Sequence, residues 1–226
     1  MKFRKENTML ENIKTVIFDM DGIIFDSERV YIECCVDVAD KYNIENVVET
    51  CYKCIGLTSV MTKKILQDTY GENFPVSDFS HEAMDLFQER YSGGRLPVKL
   101  GAEELLSYLK KIGLKVALAS STAEHLVREQ LTAAGLIKYF DQIVTGDKVE
   151  RSKPEPDIFL KAAELTDTDP ANCAVIEDSF NGVRAGHAAG MYTIMVPDLL
   201  QPDDEIILLA DTVQTTLLDV KAMFSA

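Results

Sequence analysis

The run Thr15-Val-Ile-Phe-Asp19-Met-Asp21-Gly22 decides how the chain is read. Apolar and β-branched residues stop at an acid, a second acid stands two positions on, and a glycine follows it. A short unbroken run of this kind marks a strand buried on both faces, as in parallel sheets. The acid that ends it belongs at the strand's carboxyl edge, and Gly22 lets the backbone turn there without steric cost. Similar runs recur at Lys115–Ser120, Gln142–Thr145, Cys173–Ile176 and Tyr192–Val196. Helical patterns separate most of them, at 101–112, 123–134, 157–165 and 182–189. The first carries Leu105, Leu106 and Leu109 on one face and ends at Gly113. The second opens with a capping-box pattern, Ser121 to Glu124, and closes at Gly135. Strand–helix alternation of this kind predicts an α/β fold built on a doubly wound parallel sheet.

Working outward, the stretch from Ser27 to Gly94 breaks the rhythm. Its helical patterns, at 28–42, 59–70 and 81–91, have no convincing strand among them. It reads as an inserted all-α segment, 27–94, within a core formed by 1–26 and 95–226. The expected hinges are Phe25–Ser27 and Ser92–Arg95. Toward the C-terminus, 205–210 reads as either a strand or a helical turn, and 215–224 as a closing helix.

The chain has 226 residues, 46% of them hydrophobic, enough to bury a core without disulfides or a structural metal. Its formal net charge of −14 argues against a nucleic-acid partner or attachment to anionic lipid, both of which need clustered Lys and Arg. No apolar stretch approaches the ~20 residues of a membrane span, and 1–12 is polar rather than signal-like. These features predict a cytoplasmic protein, with monomer as the default. The five cysteines show no disulfide spacing, and the Cys51-Tyr-Lys-Cys54 pair has no second pair at a zinc interval, so reduced thiols are expected.

The chemistry gathers at the strand ends. Asp19 and Asp21 leave the first strand, at the edge where open α/β sheets bind ligands. By itself a DxDG signal is weak, arising by chance in roughly one chain in twenty of this length. Ser120 ends another strand directly before a helix, where a hydroxyl and free amides form an anion site, although Ser120-Ser121-Thr122 also reads as a simple N-cap cluster. Lys153, between Ser152 and Pro154, is a candidate counter-ion for a phosphate. Glu177-Asp178 follows a further strand. Four carboxylates on one rim repel unless a cation joins them, and hard oxygen ligands point to Mg²⁺.

These motifs, in this order, resemble those of the haloacid dehalogenase superfamily, in the branch of β-phosphoglucomutase and related sugar-phosphate phosphatases. The resemblance rests on Phe18-Asp19-Met20-Asp21-Gly22, Phe25-Asp26-Ser27-Glu28, Ala119-Ser120-Ser121, Lys153-Pro154-Glu155-Pro156-Asp157-Ile158-Phe159 and Ile176-Glu177-Asp178-Ser179, with Gly182 and Ala185-Gly186. It implies a Rossmann-like core and a helical cap. It implies that Asp19 attacks phosphorus and that Asp21 serves as acid and then base while its carbonyl binds Mg²⁺. Ser120, the Ser121 amide and Lys153 would hold the phosphoryl oxygens. Glu177 and Asp178 would complete the metal site beside Asp19 and Asp21, directly or through water. The substrate would be a small phosphate ester chosen by the cap, with Tyr31, Gly56, Leu57, Thr58 and Arg90 (or Arg95) as candidate contacts. Mutases of this branch carry a His where Tyr31 stands and an Arg where Ser59 follows Gly56-Leu57-Thr58, so the resemblance favours a phosphatase over a mutase. Asp21 argues against a dehalogenase, which has no leaving oxygen to protonate. The filled motif positions argue against a catalytically silent binding protein.

Overall fold

A computed structural model of the chain describes residues 10–57 and 59–225. Its centre is β1 (Thr15–Phe18), buried along its whole length. Four helices follow before any further strand: α1 (Ser27–Tyr42), α2 (Val47–Cys54), α3 (Ser59–Tyr70) and α4 (Val76–Tyr91). The chain then alternates through α5 (Ala102–Lys111), β2 (Lys115–Ser120), α6 (Glu124–Ala133), β3 (Gln142–Thr145) and α7 (Asp157–Leu165). It ends with β4 (Cys173–Glu177), α8 (Phe180–Ala188), β5 (Tyr192–Met195), α9 (Asp204–Leu209), β6 (Thr212–Val213) and α10 (Leu217–Met223).

The six strands pair in parallel in the order β3-β2-β1-β4-β5-β6, so the expected doubly wound sheet is present. Register sets Phe18 between Leu118 of β2 and Ile176 of β4. Alternate side chains of a strand face opposite sides, and β1 seeds two cores in this way. Val16 and Phe18 join Leu105, Leu109, Leu131 and Val220, which come from α5, α6 and α10. Ile17 joins Phe159, Ala162 and Ala185, from α7 and α8. The chain runs to opposite sides of β1, which places a crevice at the carboxyl ends of the central strands.

The helices α1 to α4 have a small core of their own, Cys35, Ala39, Val47, Phe79 and Ala83, with Tyr42 edge-on to Phe79 at 5.4 Å. The chain leaves and rejoins the sheet side by side: Phe25 bridges Val98, and the Asp26 N–H donates to the Pro97 carbonyl at 2.9 Å. We propose on this basis that 27–94 acts as a cap over the crevice.

Several local expectations change. The capping box at Ser121 and Glu124 does not form. Helix α6 starts at Glu124, its N-cap is Ala123, and Asp147 from the loop after β3 accepts from the Glu124 N–H at 3.3 Å. Helix α2 lies outside the expected helical patterns; it is only 8 residues long and buries only Val47 and Thr50. Helix α4 begins five residues before the expected 81, anchored by buried Phe79. The ambiguous 205–210 is helical, capped by Asp203, and the short strand β6 follows it. All five cysteines are free thiols. Among the described residues no helix is long and apolar enough to cross a membrane.

Candidate active site

Asp19 is the first residue beyond β1, and its N–H donates to the Ile176 carbonyl at 3.0 Å, which continues the ladder and fixes its direction. Its side chain is buried. The Lys153 ammonium reaches it from the loop before α7, donating to Asp19 Oδ1 at 2.5 Å, Glu177 Oε1 at 2.7 Å and the Ala119 carbonyl at 3.2 Å. Its three N–H donors are thereby used, and it stands 4.9 Å from the Phe159 ring centroid. Burial opposes the charge on Lys153, but Asp19 and Glu177 outweigh it and hold the ammonium above its ordinary pKa. Burial pushes the Asp19 carboxyl up to about 8, with Lys153 pulling down and Glu177 and Asp21 adding to the rise. One ammonium therefore does not offset the burial of Asp19.

The expectation that Glu177 ligates a metal meets a different arrangement. Its Oε1 takes Lys153, and its Oε2 accepts the N–H of Ser179 at 2.8 Å and the Ser179 hydroxyl at 2.9 Å. The structure thus places Glu177 as the positioning partner of Lys153. Gly182 makes this possible, since a Cβ there would lie 1.8 Å from the Glu177 carboxyl group.

Asp21 is half-buried and held from both sides. The Ser27 hydroxyl donates to its Oδ1 at 2.7 Å, and the Thr122 hydroxyl to its Oδ2 at 2.9 Å. Gly22 turns the chain beside it with φ +78°, and a Cβ at Gly22 would stand 2.2 Å from Asp178 Oδ2. Ser120 is fully buried, its oxygen accepting from the Thr122 N–H at 3.1 Å, while Ser121 and Thr122 reach the cavity wall. Asp178 is 4% exposed and lies with Glu28 and Asp198, each offering an oxygen within 4.8 Å of the others. Burial pushes Glu28 up to about 8, with Asp21 and Asp198 adding, and raises Asp178 as well, with Glu177 and Glu28 adding. Glu28 Oε2 and Asp198 Oδ2 are buried without a hydrogen-bond partner. Unpaired hard oxygens around a buried acid fit a divalent ion such as Mg²⁺.

Over these groups opens a cavity of about 710 Å³. Asp19, Asp21, Lys153 and Asp178 lie at its base, and Tyr31, Leu57, Met84 and Phe87 come from the cap, with Tyr31 edge-on to Phe87. Gly56 reaches the same wall, tied to the core through its carbonyl, which accepts from Asn181 Nδ2. Of the expected cap contacts, Tyr31, Gly56 and Leu57 are brought to the cavity. Arg90 is not: it pairs with Asp37 on the surface, and Arg95 bonds the Ser92 and Glu89 carbonyls. Thr58 lies outside the described residues. Sequence reasoning missed the roles of Ser27 and Thr122 around Asp21, and it missed Glu28 and Asp198 beside Asp178. The first three stand within quoted motifs, but nothing in the motifs says which acid each one meets.

The family model described as haloacid dehalogenase-like hydrolase matches residues 16–196. The chain belongs to the haloacid dehalogenase-like hydrolase family. It is 32% identical over 216 residues to a bifunctional riboflavin kinase/FMN phosphatase of Arabidopsis thaliana, covering 95% of this chain and 56% of that protein. It therefore spans about half the length of that relative. It is 30% identical over 220 residues to hexitol phosphatase B of Escherichia coli, covering 93% of this chain and 95% of the relative. A phosphorylated carbohydrates phosphatase of Thermotoga maritima is 32% identical over 182 residues, covering 80% and 84%. Among solved structures, a family hydrolase from Deinococcus radiodurans with bound phosphate and sodium superposes with a TM-score of 0.79 at 27% identity, covering 94% and 95%. The two relatives covered over most of their own length, hexitol phosphatase B and the carbohydrate phosphatase, are both named as phosphatases.

Proposed function

We propose that the chain hydrolyses a small phosphate monoester with an uncharged leaving group, a sugar or polyol phosphate, through an aspartyl-phosphate on Asp19. One observation carries this reading: a buried carboxylate held by one ammonium, with a second acid braced beside it. Asp19, with Oδ1 on Lys153, uses its other oxygen to attack phosphorus. Asp21 gives its proton to the leaving oxygen as that P–O bond breaks. A water then loses a proton to Asp21 and attacks the same phosphorus, releasing inorganic phosphate and the Asp19 carboxylate. Ser27 and Thr122 hydroxyls can each donate or accept, so they suit Asp21 in either protonation state. Lys153 and the amides near Ser121 would meet the charge on the phosphoryl oxygens.

Asp19, Asp178 and the Asp21 carbonyl would hold Mg²⁺. When bound, it would neutralise the rim and polarise the phosphoryl group. Uncatalysed hydrolysis of such esters is so slow that accelerations of up to ~10²¹ are required, more than positioning alone supplies.

Lys153 is the one cation among the described residues that line the cavity. A second phosphate, as a bisphosphate intermediate would carry, has no counter-ion there, which favours phosphatase over mutase. Gln130 also lines the cavity and keeps a buried Oε1 without a partner, an acceptor suited to a hydroxyl of the leaving group. The names of the hexitol and carbohydrate phosphatases support the same substrate class.

The test is a panel of hexitol, hexose and nucleotide monophosphates and hexose bisphosphates, assayed for kcat/KM with Mg²⁺ and with EDTA. Mg²⁺-dependent release of phosphate from neutral-alcohol monoesters is expected, and Asp19→Asn should lower it on the order of 10⁴-fold or more. Interconversion of sugar phosphates without phosphate release, or an active Asp19→Asn enzyme, would overturn the proposal.

A further inference from the structure

We infer that Glu28 and Asp198 belong to the cation site and hold the hydration shell of the ion on the side of Asp178. The inference rests on the reading above that this chain binds a divalent cation. It adds two residues to the acids that the sequence motifs single out.

The argument starts from unmatched oxygens. Asp198 stands in the loop after β5, with its side chain 9% exposed. Lys99 engages its Oδ1, while its Oδ2 is buried with no partner. Glu28 lies in the first turn of α1, and its Oε2 is likewise buried with no partner. Both residues come within 4.8 Å of Asp178 through their carboxylate oxygens. A buried acceptor without a donor is destabilising, more so when charged, and two at one point call for a shared donor.

Geometry narrows what that donor is. Glu177, the acid expected to help Asp178, has both oxygens taken by Lys153 and Ser179. Among the described residues, Glu28 and Asp198 are the acids whose oxygens gather with that of Asp178, and each keeps one oxygen without a partner. Mg²⁺ dehydrates reluctantly and keeps several waters, each with protons to give. Carboxylates spaced as these are can accept from such waters while Asp178 meets the ion directly, and outer partners of this kind tune affinity. Because Glu28 is on the first cap helix and Asp198 on the core, the hydrated ion would also tie the cap to the sheet.

The test measures metal binding itself. Mg²⁺ affinity by calorimetry, and Mn²⁺ affinity by electron paramagnetic resonance, are compared for wild type, Glu28→Gln, Asp198→Asn and Asp178→Asn. Glu28→Gln and Asp198→Asn should each weaken Mg²⁺ binding about 10–100-fold. The metal-free melting temperature of Glu28→Gln should equal or exceed that of wild type, since it removes an unmatched acid, and that of Asp198→Asn should stay near it, since the amide oxygen can still accept from Lys99; this also establishes that the variants fold. Glu28→Asp, with a shorter reach, should fall between wild type and Glu28→Gln. Wild-type affinity in both isosteric variants, with Asp178→Asn impaired, would overturn this inference and leave the proposed function standing. Absence of Mg²⁺ binding by the wild-type protein would overturn the cation reading as well.

Discussion

At the Asp19 side of the cavity base, Lys153 gives its three donors to Asp19, Glu177 and the Ala119 carbonyl, and Ser179 completes Glu177. At the Asp178 side, one residue along the same strand end, Asp178, Glu28 and Asp198 meet with two oxygens unpartnered. Both sides are buried acids at the same sheet edge. They differ in counter-charge: Lys153 reaches both acids of the first side, whereas on the second Lys99 engages only Asp198 and leaves Asp178 and Glu28 without a cation. Burying a carboxylate is costly unless a partner compensates it, so the unmatched side indicates where an external cation fits.

Between these two sides, the larger effect should follow from unmatching the matched one. Lys153→Met leaves Asp19 and Glu177 buried without their shared partner, and should lower kcat about 10²–10³-fold. It should also destabilise the metal-free fold by about 3–5 kcal/mol in urea titrations. Near wild-type turnover in this variant would break the comparison. Gly182→Ala reaches the same network indirectly, since its Cβ would collide with the Glu177 carboxyl group. It should cost about 1–3 kcal/mol of stability, and kcat should fall more than KM changes as Lys153 loses its second anchor.

A smaller effect reaches both sides, since burial raises an acid on each of them when no metal is bound. Asp19 and Glu28 are raised to about 8 in the metal-free fold, whereas the unfolded chain loses these protons near pH 4. Between those values the folded state binds more protons than the unfolded state. The stability linked to these groups is therefore fully present below about pH 4 and is lost as pH rises through about 8. Denaturant midpoints of EDTA-treated protein should fall from about pH 5 to about pH 9, and saturating Mg²⁺ should remove most of the fall. A flat profile without metal would contradict the assignment. The smallest effect belongs to a charge pair in water: Arg90→Ala breaks the exposed contact with Asp37 and should leave kcat/KM unchanged for every substrate.

Much of the site was legible because its signals are local. An apolar run ending in an acid places Asp19 at a strand's carboxyl edge whatever surrounds it, and the same reasoning places Ser120 and Glu177-Asp178. Local signals failed where a distant residue supplied a better partner. The Ser121–Glu124 capping pattern lost to Asp147. Arg90, in the last turn of α4, found Asp37 on α1 rather than a substrate. At Glu177, read as completing the metal site directly or through water, the motif did not say that Lys153 and Ser179 would also bond its oxygens.

The sequence by itself determined the alternation that builds the parallel sheet, the helical interruption after β1, and the set of acids and one lysine at the strand ends. Period and composition are properties of contiguous residues, so no folding was needed to read them. Only the tertiary structure decided which acid received the ammonium, which hydroxyls brace Asp21, and that Glu28 and Asp198 converge on Asp178. Those pairings join the start of a cap helix, the turn after β2 and the loop after β5, elements whose separation along the chain carries no record of their nearness in space.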